Sequence, residues 1–188
     1  MFTLLHTESS TGWGGQENRT LNESLGLRKL GARVIILCQP ESVIGKKAEA
    51  EGIEVRRCRM QKSYDIFALK YILDIIKKDA VDIINTHSGR DSLLAGIAGR
   101  LSGNKPVIVR TRHLALPITS TFTYKRLAHK VVTVSEHVRE YLISEGIPED
   151  KVAAVYTGVD TTKFNPENAN DHLRQKLEIS PEMSIVGT

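Results

Sequence analysis

The sequence predicts a doubly wound α/β domain, a parallel sheet of about seven strands with helices on both faces. Three observations carry this. Seven short β-branched runs alternate with longer segments whose apolar residues recur at helical spacing. Gly31, Gly52, Gly103 and Gly146 stand where helical segments stop, a few residues before the next run, as left-handed helix exits do. Several runs are also nearly continuous in apolar residues, as in Val34-Ile35-Ile36-Leu37, which suits strands buried on both sides.

In chain order the expected strands are Phe2–His6, Val34–Cys38, Ile53–Cys58, Val81–Asn85, Pro106–Arg110, Val131–Val134 and Val152–Tyr156. Helical spacing shows between them, in Leu93, Ile97 and Leu101 and again in Val138, Tyr141 and Leu142, with Ser135 as the N-cap of the latter helix. After Asp160 the composition turns polar, a short helix carrying Leu173 and Leu177 follows, and Ser184–Thr188 reads as the start of another strand. The expected division is residues 1–165 as one domain, with 166–188 a linker helix and the first strand of a second.

The 188 residues, 40% hydrophobic and 26% charged, suit one domain with a real core and argue against disorder. No apolar run reaches the ~18 residues of a membrane span, and Met1–His6 is too short for a signal-peptide core, so a soluble, cytoplasmic chain is expected. Cys38 and Cys58 make neither a disulfide framework nor a zinc site. Nucleic-acid binding ranks last despite a pI near 9.1, because 5% aromatics cannot supply a stacking platform.

Ligands of open α/β sheets bind at the carboxyl ends of the strands, so the loops there hold the chemistry. The first contains Gly12-Trp13-Gly14-Gly15-Gln16-Glu17. Its glycines let backbone N–H groups and a helix N-terminus meet an anion; a simple tight turn is the alternative. It is no Walker loop, since no lysine precedes Lys29, and no dinucleotide fingerprint, since Glu17 stands at the third glycine position and Gln39-Pro40 where an acid belongs. The fourth loop holds Thr86-His87-Ser88-Gly89-Arg90, and the fifth Thr111-Arg112-His113. A strand-end histidine such as His113 serves either as a structural hydrogen bonder or at a site. No histidine pair has metal-ligand spacing, and no G-x-S-x-G elbow occurs.

The net charge of +4 is uneven: from Ser92 to Ser135 there is no acid, while Arg100, Lys105, Arg110, Arg112, Lys125, Arg126 and Lys130 all fall there. This group, with Arg56, Arg57 and Arg59, is expected at the ligand-binding edge. Arg110 and Arg112 have the fork geometry for phosphate or carboxylate; Lys125, Arg126 and Lys130 also suit a solvated helix face.

Taken together, these loops resemble the N-terminal half of family 4 glycosyltransferases, Rossmann-like domains of the two-domain GT-B architecture. The resemblance runs through Gly14-Gly15-Gln16-Glu17, Thr111-Arg112-His113, Val134-Ser135-Glu136 and Thr157-Gly158-Val159-Asp160 followed by Phe164-Asn165-Pro166. Thr157 departs from the family's usual asparagine. The resemblance implies sugar transfer from a nucleotide-sugar with retention of configuration and with neither metal nor other cofactor, in cell-envelope glycan or glycolipid synthesis. It implies that this half holds the acceptor, that Gly14 and Gly15 approach the donor diphosphate, and that His113, the candidate catalytic residue, bonds the donor sugar or leaving group. The acid-free run then suggests an anionic, glycan or lipid-linked acceptor held by His87, Arg90, Arg110, Arg112, Lys125 and Arg126, with peripheral contact to an anionic membrane. Two other classes compete: a non-catalytic Rossmann-like binding or regulatory domain, and an oxidoreductase, which the broken fingerprint disfavours.

Overall fold

The structure, a computed structural model, describes all residues except 163, 169–171 and 187–188. All seven expected strands form: β1 (Thr3–Glu8), β2 (Arg33–Cys38), β3 (Glu54–Arg57), β4 (Ile83–Thr86), β5 (Val107–Arg112), β6 (Lys130–Thr133) and β7 (Val152–Ala154). They pair in parallel in the order β3-β2-β1-β4-β5-β6-β7. The helices are α1 (Gly15–Lys29), α2 (Val43–Ala50), α3 (Ile66–Lys78), α4 (Gly89–Leu101), α5 (Glu136–Ser144) and α6 (His172–Lys176). β1 and β5 each run two residues beyond their expected ends, to Glu8 and Arg112. That extension carries polar side chains to the rim of the sheet.

Alternation along the strands sorts the core into layers. Leu5, Ile35, Leu37 and Ile84 face α3 and α4, where they pack with Ile72, Ile76, Leu94 and Ile108. Val34, Ile36 and Cys38 face α1 and α2 with Leu21, Ile44 and Ala48. A third cluster of Tyr124, Val131, Leu142, Ile147 and Val152 closes the β6–β7 end. Each buried Leu or Ile contributes roughly 1.5–3 kcal/mol, so these layers set the positions of the strand ends above them.

Side-chain caps start three helices: Ser42 accepts from Gly45 N, Asp65 from Ala68 N, and Ser135 from Val138 N, the last as expected. Gly31, Gly52 and Gly146 are left-handed as expected. Gly103 is not; in its turn Lys105 takes positive φ instead, after Ser102 has already left the helix in an extended conformation.

Glycines inside α4 serve packing. A Cβ at Gly99 would lie 2.9 Å from Ile108 Cδ1 and 3.0 Å from Ile84 Cδ1, both on buried strand residues. Gly99→Ala therefore destabilises the protein by about 1–3 kcal/mol in urea titrations, although alanine is the better helix former. A neutral or stabilising result would contradict this packing.

The chain divides into two compact units, Met1–Thr157 and Gly158–Thr188. The second contains α6, the short helix expected around Leu173, and a 3-10 turn, Pro166–Asn168. The strand expected over Ser184–Thr188 does not form at residues 184–186, since no other strand among the described residues of this unit can pair with it; Gly187 and Thr188 lie outside the described residues.

Candidate functional site

The β1→β2 and β2→β3 crossovers travel one way along the sheet, and β3→β4 reverses to the other side of β1. At such a switch the two loops part and leave a crevice at the carboxyl edge, here between β1 and β4. The polar residues that end both strands meet there.

Asp91, in the first turn of α4, is fully buried and organises the crevice floor. One oxygen accepts from Ser88 N at 3.0 Å, from Ser88 Oγ and from Ser9 Oγ; the other accepts from His87 N at 2.9 Å and Thr7 Oγ1 at 3.1 Å. Glu8 lies beside it, also buried. Its carboxylate accepts from Ser10 N and Gln16 Nε2 and lies 3.2 Å from Ser88 Oγ, whose hydrogen goes to Asp91. Burial, with the nearby Asp91 charge, pushes Glu8 up to about 7.

Above this floor runs the glycine-rich loop. Gly14 N donates to Glu17 Oε2 at 2.8 Å, which fixes the start of α1. Gly14 is extended, and Gly15 is not among the positive-φ glycines. A Cβ on Gly15 would meet nothing within 4 Å, and one on Gly14 only Glu17 Oε2 at 3.5 Å. Neither packing nor backbone conformation requires these two glycines. Their bareness leaves the N-terminus of α1 open to the crevice.

Three histidines line up across the switch. His6 Nδ1 lies 2.9 Å from His87 Nε2, and His87 Nδ1 lies 3.1 Å from His113 Nε2. The rings of His6 and His87 stack with centroids 5.2 Å apart. Burial lowers His6 to about 3; His87 sinks well below the ordinary range through burial and its charged neighbours. His113 is lowered to about 4, first by its partial burial and then by Arg19. At neutral pH all three are uncharged, and their paired nitrogens face each other rather than a shared metal position. His113, the expected site residue, is half-buried at the crevice.

The expected basic residues take other places. Arg110 is buried, with its guanidinium carbon 3.7 Å from the Tyr124 ring centroid, and acts electrostatically on Asp91 from beneath the crevice floor. Arg112 donates to Leu114 O at 2.7 Å and Leu116 O at 2.6 Å, holding its own loop. His87, expected to touch an acceptor, is buried inside the histidine row. Arg90 is exposed at the start of α4 and donates to Met60 O.

Lys125 and Arg126 do not reach the crevice. They lie in a π-helical turn, Thr123–Leu127, that runs back toward the start of β6. There Arg100 of the last turn of α4 donates to Leu127 O, and the Lys125 ammonium sits by Gly146, ahead of β7. Of the arginines of β3, Arg56 leaves the ligand edge to pair with Glu54 and Asp79, whereas Arg57 stays at the carboxyl end of its strand, donating to Pro40 O and pairing with Glu49. Asp79 caps the end of α3, at the amino edge of the sheet.

Sequence reasoning missed His6, Glu8, Asp91 and Arg19. Arg19 is buried and donates to Thr157 Oγ1 at 3.0 Å, so the threonine that replaces the family's usual asparagine still supplies an acceptor oxygen. Gln39, where a dinucleotide enzyme needs an acid, is a buried clamp that accepts from Met60 N and donates to Met60 O and Ser9 O.

Residues 13–163 match the family described as Glycosyltransferase Family 4. Over 126 residues the chain is 27% identical to a galactosyltransferase of Escherichia coli that acts on GlcNAc-diphosphoundecaprenol, covering 60% of this chain and 32% of that enzyme. A glycosyltransferase structure from Rickettsia africae superposes with a TM-score of 0.84 at 26% identity, over 96% of this chain and 50% of the other. HepE of Anabaena, solved with UDP-glucose, shares the fold with a TM-score of 0.77 at 18% identity, over 95% of this chain and 50% of its own. This chain thus spans about half the length of these solved proteins and a third of the curated enzyme.

Proposed function

This chain belongs to glycosyltransferase family 4, and on that premise we propose that it forms the acceptor-side wall of an enzyme moving a sugar from a nucleotide-sugar to an anionic, lipid-linked acceptor. One observation carries the reading. The N-terminus of α1, bare of side chains at Gly14 and Gly15, opens on the same crevice as His113, and Glu17 of that first turn acts electrostatically on His113.

A departing nucleoside diphosphate gathers negative charge. The N–H of Gly15 and the helix dipole at the start of α1 stabilise that charge without rearranging, the Gly14 N–H being held by Glu17. The uncharged His113 ring hydrogen-bonds the sugar or the leaving oxygen. The transfer proceeds with retention of configuration and draws on no metal ion. The diphosphate-linked acceptor of the E. coli relative motivates the acceptor class here, and exposed Arg90 at the crevice rim is its candidate partner. Arg112 contributes by holding the 113–116 loop in place. Tyr64, Ile66 and Phe67 are exposed at the start of α3 beside Lys62, a mixture of apolar and basic groups suited to the cytoplasmic face of an anionic membrane.

The full-length protein is tested with a panel of nucleotide-sugars and with acceptors bearing or lacking a lipid diphosphate. One donor is expected to be slowly hydrolysed alone and transferred faster to the diphosphate-bearing acceptor. Arg90→Ala should weaken acceptor binding, more so at low salt. Donor binding with no turnover on any acceptor would point to a non-catalytic binding domain instead.

A further inference from the structure

The three-histidine row has a direction. In each internal contact one nitrogen donates and the other offers a lone pair, so the uncharged row has two arrangements related by reversing both bonds. Thr20 decides between them. Its hydroxyl donates to Gln16 O at 3.0 Å, so only an oxygen lone pair remains for His87 Nδ1, 3.5 Å away. His87 therefore carries its hydrogen on Nδ1, directed at Thr20 Oγ1 and at His113 Nε2. Its Nε2 is then a lone pair, and His6 must donate from Nδ1.

The far end of the row agrees. His6 Nε2 is buried with no hydrogen-bond partner. The reversed arrangement would put a hydrogen there, and an orphaned buried N–H is rarer than an unused acceptor. The near end follows: with Nε2 accepting from His87, the hydrogen of His113 sits on Nδ1, an atom without a hydrogen-bond partner among the described residues.

We infer that His6 and His87 are positioning residues that lock His113 in its Nδ1–H tautomer, so that it meets a ligand as a hydrogen-bond donor and never as a base. The groups acting electrostatically on His113 are Arg19 and Glu17 of α1, together with Arg112. The two cations oppose any further proton on the ring. The tautomer follows from the fold alone; its use on a sugar or phosphate oxygen rests on the function proposed above.

Histidine-specific 15N labelling of the full-length protein, read at pH 7 by long-range 1H–15N correlation, reports the tautomer of each ring, with assignments from single His substitutions. His113 is expected with a protonated Nδ1 and a bare Nε2, and His87 likewise. A His113 in the Nε2–H form, or averaging between forms, overturns the inference. His87→Phe should release His113 into a tautomer mixture. His87→Asn, whose amide nitrogen takes nearly the place of Nδ1 and can still donate to His113 Nε2, should preserve the Nδ1–H form; equal spectra for the two variants would count against a positioning role. The spectra involve no turnover, so an Nδ1–H His113 whose removal leaves transfer intact defeats the functional reading and not this one.

Discussion

Replacing Asp91 with alanine should cost about 3–5 kcal/mol of folding stability, because the change strands several buried donors at once. His87 N–H and Ser88 N–H point at the lost carboxylate and cannot rotate away. The Thr7 and Ser9 hydroxyls lose their acceptor as well. Arg110, already poor in partners with a buried Nε that bonds nothing, loses a charge that favours its cation. For a chain of this size the melting temperature should fall on the order of 10 °C. Asp91→Asn keeps one acceptor oxygen but places an amide N–H₂ against donors, so its loss should be intermediate. Circular-dichroism melts decide: an alanine variant within about 2 °C of the parent protein would mean that water replaces the carboxylate and that Asp91 does not hold the crevice floor.

That floor explains what could and could not be read along the chain. The seven strands were legible because strands buried on both faces leave continuous Val, Ile and Leu runs, and three of the four helix exits followed because glycine relieves left-handed strain there. His113 and the Gly14–Gly15 pair were legible as residues just past strand ends. His6, Glu8 and Asp91 were not, because their meaning lies in contacts about eighty residues apart, such as His6 with His87 and Thr7 with Asp91. A trace of them was present: His6-Thr7-Glu8 is a polar run inside a β1 that remains buried to its end. Lys125 and Arg126 were placed at the wrong edge because the β5–β6 connection has no full helix to fix its direction. The π-helical turn there carries both residues back along α4. Arg56 misled for a simpler reason, since the acid it reaches, Asp79, ends a helix beside β3 in space and not in its loop, while Arg57 stays at the expected edge beside Pro40.

The largest effect on activity is expected at His113, and the pattern across substitutions matters more than the size. His113→Ala in the full-length enzyme should lower kcat/KM roughly 10²–10³-fold, the usual consequence of removing one preorganised donor from a developing anion, with the melting temperature little changed because the ring is only half-buried. The amide nitrogen of asparagine occupies nearly the place of imidazole Nδ1, and that of glutamine the place of Nε2. If the hydrogen that meets the ligand is on Nδ1, His113→Asn should keep activity within about tenfold, while His113→Gln should fall nearly as far as alanine. His87 does not penalise the asparagine variant, because Thr20 Oγ1 at 3.5 Å can take up its Nδ1 hydrogen. The parent enzyme should also show no titration of His113 above pH 5, since burial and Arg19 hold its protonation near pH 4. Measured rates that favour glutamine over asparagine would overturn a ligand-facing hydrogen on Nδ1, since Nε2 is the atom turned toward His87. Rates equal to the parent protein for all three variants would remove His113 from the chemistry and leave it a part of the crevice wall.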